Sequence, residues 1–276
     1  MKRSEAWLRL VSALLVLFTA ACAGSAGGGA QPRTGAGTPA STAPAAAIKV
    51  VAIGDSDATG IGDASGRGWV GRYASLLQQK LATEVAADNK AAEGETSNQL
   101  RSDVASDDAL RRALAGADVI LIGIGGADLN AGDDALSAGR CQGRACYAQI
   151  LARFGQNMSA ATVQVRRLAP RALVRAMSIP DAFPGGGTAL PPFANADLSR
   201  YQVTTEHALV CRAVQANGGR CVDVPGAFNG PAGDRDAYKA GLMTKDPCCY
   251  PSSQGQQVIA QLLLSTGTDS LPGKAP

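Results

Sequence analysis

The 276-residue chain contains a single histidine, His207, so the side chain most used as a general base at neutral pH is nearly absent. Its spacing from the seven cysteines fits no zinc pattern, and no metal is expected. A long apolar run is lacking too. The N-terminal stretch LVSALLVLF, residues 10–18, falls well short of the roughly 20 residues that a spanning helix needs. Nor is there an excess of one charge. The formal value is +3, and it falls to +1 without residues 1–21, which carry three cationic residues and one acidic residue. Nucleic-acid binding therefore has no electrostatic support.

What is present at the N-terminus reads as an export signal. Lys2, Arg3 and Arg9 precede the apolar run, which stops at the small residues Thr19, Ala20 and Ala21. Cys22 follows directly. This arrangement resembles the lipobox of bacterial lipoproteins, although Thr19 stands where leucine is commoner. The resemblance implies a signal peptide over residues 1–21, lipidation of Cys22 and membrane attachment through that lipid. The alternative is a secretory signal cut near Ala21, and both readings place the mature chain outside the cytosol. Residues 22–47 are predominantly Ala, Gly, Ser, Thr and Pro, with Arg33 the only charge. Such a stretch cannot bury enough apolar surface to offset its ordering entropy, so it is expected to be a tether reaching on the order of 25–30 Å.

Residues 48–276 are expected to form one α/β domain. Six cysteines remain there, an even number in an exported chain, which makes disulfides the default. Local closure favours Cys141 with Cys146 and Cys211 with Cys221. That leaves Cys248 and Cys249 as a neighbour pair or a reactive dithiol.

Short β-branched runs ending in glycine or proline mark the strands. IKVVAIG (48–54) and ADVILIGIGG (117–126) are the clearest, with further strands at 84–88, 172–179 and 220–224. Helices are expected between them. One face is formed by Trp69, Val70, Tyr73, Leu76, Leu77 and Leu81, and others span 100–114, 147–168, 195–217 and 252–264, with a cysteine-bearing loop before residue 147. This alternation predicts a three-layer α/β/α sandwich on a mostly parallel five-stranded, flavodoxin-like sheet. Sites in such sheets lie at the carboxyl ends of the strands.

Gly54-Asp55-Ser56 stands at such an end. Trp69, Leu76 and Leu77 follow at a characteristic distance, and Gly94 sits in NKAAEGETS. These blocks resemble the SGNH, or GDSL-like, hydrolases over nearly all of residues 48–264. The resemblance implies carboxylic-ester hydrolysis without a cofactor, with Ser56 as nucleophile and the Ser56 and Gly94 N–H groups in the oxyanion hole. Two positions depart from it. The third block, Gly-x-Asn-Asp in the family, is Gly125-Gly126-Ala127-Asp128, so Ala127 replaces the oxyanion asparagine; Asn130 is close in sequence. The last block, Asp-x-x-His-Pro, is Asp246-Pro247-Cys248-Cys249-Tyr250-Pro251. Asp246 takes the acid position, and Cys249 or Tyr250 stands for the histidine, depending on the direction of counting.

Three readings follow. The first is a cell-envelope protein that keeps the pocket and binds a small-molecule or glycan acyl ester, as a monomer, without efficient turnover. The second is a working esterase using Ser56 with an unusual base: Asp246, the Cys249 thiol, or His207, which the periodicity puts in mid-helix. The third is thiol chemistry at Cys248 and Cys249. Asp55 and Asp128 are read as holding loop backbones, and Asp103, Asp107 and Asp108 as a solvated helix face. The Gly/Pro-rich loop FPGGGTALPPF, residues 183–193, is expected to border the pocket.

Overall fold

The structure is a computed structural model that describes residues 47–184 and 195–271. The signal, Cys22, nearly all of the tether and residues 185–193 of the Gly/Pro loop lie outside the described residues. Strands β1 (Ile48–Gly54), β2 (Val85–Asn89), β3 (Val119–Gly123), β4 (Leu173–Met177) and β5 (Arg220–Val222) pair in parallel in the order β2-β1-β3-β4-β5. Helices α1 (Ser56–Thr59), α2 (Gly68–Leu81), α3 (Ser97–Ser106), α4 (Asp108–Ala115), α5 (Gly126–Ser137), α6 (Ala145–Leu168), α7 (Ala196–Gln215), α8 (Val224–Asn229) and α9 (Ser253–Ser265) connect and cover them.

The period-two alternation of the strands builds two cores. Ile48, Val50 and Ala52 of β1, with Val119 and Leu121 of β3, pack against Trp69, Tyr73 and Leu77 of α2 and Ile259 and Leu263 of α9. Val51 and Ile53, with Ile120 and Ile122, pack on the other face against α3, α4, α6 and α7. The result is the expected three-layer sandwich. The strand order reverses between β1 and β3, so their carboxyl ends diverge into a crevice.

Three local expectations differ from the structure. The helix expected over 100–114 is two helices, because the Asp107 carboxylate accepts from the N–H groups of Ala109 (2.7 Å) and Leu110 (3.0 Å) and starts α4 anew. The stretch read as a loop before residue 147 contains α5, whose Gly132 lies against the Tyr147 ring so closely that a Cβ would overlap it. Before the last helix, β6 (Met243–Lys245) and β7 (Cys248–Pro251) form an antiparallel hairpin. Disulfides join Cys141 to Cys146, Cys211 to Cys221 and Cys248 to Cys249. Among the described residues, no helix is long and apolar enough to cross a membrane.

Candidate active site

Ser56 opens α1 one residue beyond the capping Asp55, at the carboxyl end of the central strand β1. The turn exists because Gly54 takes a φ of +137°, where a Cβ would overlap the Gly123 carbonyl oxygen of β3. Asp55 is buried and its carboxylate accepts from Gly125 N–H (2.9 Å) and Asp57 N–H (3.2 Å), tying the first strand's loop to the third's. Trp69 secures the turn from below. Its Nε1 donates to the Asp57 carbonyl (2.8 Å), while its backbone N–H donates to the buried Gln256 of α9 (2.8 Å).

Ser56, Gly94, Ala127, Asn130, Cys248, Cys249 and Tyr250 line one cavity of about 340 Å³, so the fold gathers nearly every candidate named from the sequence. Gly94 has a φ of +75°. Among the described residues neither the Ser56 N–H nor the Gly94 N–H has a hydrogen-bond partner, so both donors are available to an oxyanion. The same holds for the Ser56 hydroxyl: no described side chain accepts from it.

A family model of the GDSL-like lipase/acylhydrolases matches residues 52–258. The chain belongs to that family. Its fold is similar to that of a lipase from a goat rumen metagenome, at 20% identity with a TM-score of 0.67, covering 80% of this chain and 97% of that one. It is also similar to the extracellular lipase of Streptomyces rimosus, at 18% identity and a TM-score of 0.59 over 80% and 100% of the two chains. Phospholipase A1 of Streptomyces albidoflavus is a third, at 20% identity and 0.53 over 81% and 100%. A search of curated proteins found no match.

Against the GDSL-like pattern, the cavity shows how each departure is built. Ala127 is in the first turn of α5 and Asn130 follows one helical turn later, so both reach the same cavity from one face. Asp246 is exposed in the turn of the β6–β7 hairpin and lies outside the cavity wall. Cys249 presents a disulfide sulfur, which cannot accept a proton as a thiolate would. His207 is half-buried in α7, as its periodicity implies, and does not line this cavity. Its Nδ1 is 2.7 Å from the Ser178 hydroxyl, and it borders a separate cavity with Asp181 and Asp223.

Carboxyl groups surround the site, and burial governs them. Burial pushes Asp55 up to about 6, opposed by the N–H groups it accepts from; Asp57 is pushed well up by burial and then by the charge of Asp55. Glu206 of α7 is fully buried against Gly125, both its oxygens lack a hydrogen bond among the described residues, and burial drives it well above the ordinary range. Asp128 serves as a loop holder, as read from the sequence, accepting from Ser97 N–H (2.7 Å) and Ser97 Oγ (2.6 Å). Two cavity residues were not anticipated: Asp133 on α5 and Gln202 on α7. Asp133 is three residues beyond Asn130, a spacing that becomes informative only once the stretch is known to be helical.

Proposed function

We propose that the chain is an extracytoplasmic, lipid-anchored member of the GDSL-like family that binds an acyl ester in the Ser56 cavity and turns it over poorly or not at all. The observation that carries this reading is the lone Ser56 hydroxyl: two oxyanion donors stand beside it in the cavity, and no described base accepts its proton. Loss of the base typically costs a triad serine about four to six orders of magnitude. Loss of the asparagine amide at Ala127 adds about 100 to 1,000-fold, though such losses are not additive.

The test is the reactivity of Ser56 towards a fluorophosphonate. Labelling over hours, no faster than that of a non-catalytic serine, is the expected result; stoichiometric labelling of Ser56 within minutes would sink the reading. Anchoring is tested separately, by expressing the full chain with Cys22→Ser. The variant should leave the membrane fraction, and unchanged membrane retention would argue against a lipid at Cys22.

The second reading, an active esterase with an unusual base, is favoured by the available Ser56 and Gly94 N–H groups. It requires a proton acceptor for the Ser56 hydroxyl, and among the described residues none hydrogen-bonds to it. Tyr250 is a phenol, which is a poor base at neutral pH, and Cys249 carries no thiol while its disulfide is intact.

A further inference from the structure

A second cavity, of about 270 Å³, shares Gly94 with the Ser56 cavity and none of its other wall residues. Its walls carry four carboxylates, Glu93, Glu95, Asp103 and Asp107, and one cation, Lys90, whose Nζ is 3.1 Å from Asp88. Glu95 stands apart from the other three. Only 8% of it is exposed, yet its oxygens, unlike those of Glu206, are not sealed from the cavity they line. Among the described residues its carboxylate has no hydrogen bond and no ion pair; the Ala92 N–H beside it is bonded to the Gly54 carbonyl at 2.9 Å. Asp103 of α3 and Asp55 behind the cavity both repel it, while Lys90 and Arg112 act on Asp107 instead. A buried carboxylate without a cation is costly unless a bound partner supplies one.

We propose that this cavity binds an alkyl oligoamine, with one ammonium on Glu95 and Asp103 and a second on Glu93 or Asp107. The inference is independent of what the Ser56 cavity binds. Among the described residues, no three of these carboxylates lie close enough together to share one metal ion, which favours charges spaced along a chain over a bare cation. Leu110 lines the same cavity and gives the methylenes an apolar contact. Ammonium groups donate and do not accept, which matches a wall whose unfilled groups are acceptors. Burial lifts Glu95 to about 7, so an entering ammonium displaces a proton in slightly acid solution and meets a ready carboxylate above neutrality. About a tenth of the Glu95 carboxyls is ionised at pH 6 and about nine-tenths at pH 8, which makes the affinity about tenfold higher at pH 8.

The experiment is titration calorimetry on the full-length chain at physiological ionic strength, with 1,6-diaminohexane, hexylamine, calcium chloride and trilysine as probes. The two alkylamines stay protonated throughout the range from pH 6 to 8, so any pH dependence of their binding comes from the protein. At pH 8 the diamine should bind at least about fivefold more tightly than hexylamine or calcium, and at pH 6 its own affinity should fall about tenfold. Glu95→Gln should bring the pH 8 affinity down to the parent's pH 6 value or below and abolish the pH dependence. That variant removes a repelled buried charge, so unfolding does not account for the loss. Asp103→Asn should weaken binding about two- to fivefold. Asp197→Asn, an exposed position on α7 outside the cavity, should leave it unchanged. Tighter binding of calcium, or of trilysine as a stand-in for a partner chain, would overturn the proposal. So would equal binding of hexylamine, an affinity that ignores pH, an equal loss in Asp197→Asn, or no binding of the diamine at pH 8.

Discussion

Glu95 follows Gly94 and is only 8% exposed; burial first, then the charges of Asp103 and Asp55, push its carboxyl from 4.5 up to about 7. A raised acid stabilises the folded state below its unfolded value, and that contribution is lost as pH rises from about 4.5 through about 7. Each tenfold change in acidity is about 1.4 kcal/mol, so above pH 8 the ionised carboxylate costs the fold about 3 kcal/mol. Glu95→Gln removes the charge and keeps the side chain's shape. For a domain of this size, about 3 kcal/mol corresponds to about 6–12 °C in Tm. The variant should therefore melt higher than the parent by roughly that much at pH 8, but by only about 1 °C at pH 4.5. Thermal melts of both proteins across this range supply the check. Equal shifts at the two pH values, or none at pH 8, would refute the assignment of a buried, repelled carboxyl.

Two further perturbations probe the frame around the site. Gly125→Ala puts a Cβ at a φ of +148° and 2.6 Å from Glu206 Oε1, so a loss of about 3 kcal/mol is expected from strain and overlap; a Tm within 2 °C of the parent, as a roughly sub-kcal/mol effect, would contradict it. Arg72→Leu removes the bonds of 2.7 and 3.0 Å that Arg72 donates to Asp63, while the carboxylate keeps those from Ser65, Gly68 and Ser253, so a loss of about 1.5–3 kcal/mol is expected. Arg72 holds the Asp63 carboxyl well below the usual range. Its contribution is present above about pH 4 and lost as pH falls through the lowered value, so the urea midpoints of parent and variant should converge in strong acid.

The sheet was legible because its central strands are β-branched runs buried on both faces and ending in glycine, as at Gly54 and Gly123. Their parallel pairing followed from the alternation with helices. The elements that shape the far wall were not legible. Residues 126–137 show too little apolar periodicity to declare a helix, since only Leu129 and Gly132 are buried, and the helix forms by packing on Tyr147. Without the helix, the sequence does not place Asp133 on the face of Ala127 and Asn130. Gln202 stayed hidden for a different reason. It is a polar residue on the buried side of α7, and burial of an amide depends on partners from other elements. The loop around Asp246 was recognised as altered, but the hairpin that leaves Asp246 exposed while Cys249 and Tyr250 face the cavity comes from strand pairing.

The central claim is that the GDSL-like site keeps its serine and two backbone donors but has no base to activate the serine. Hydrolysis of a panel of short acyl esters, including acetylated sugars, by the full chain and by its Ser56→Ala variant tests it most directly. The account predicts rates that coincide within error for every ester between pH 6 and 9. Turnover that is clearly above background in the parent and vanishes in Ser56→Ala would contradict it.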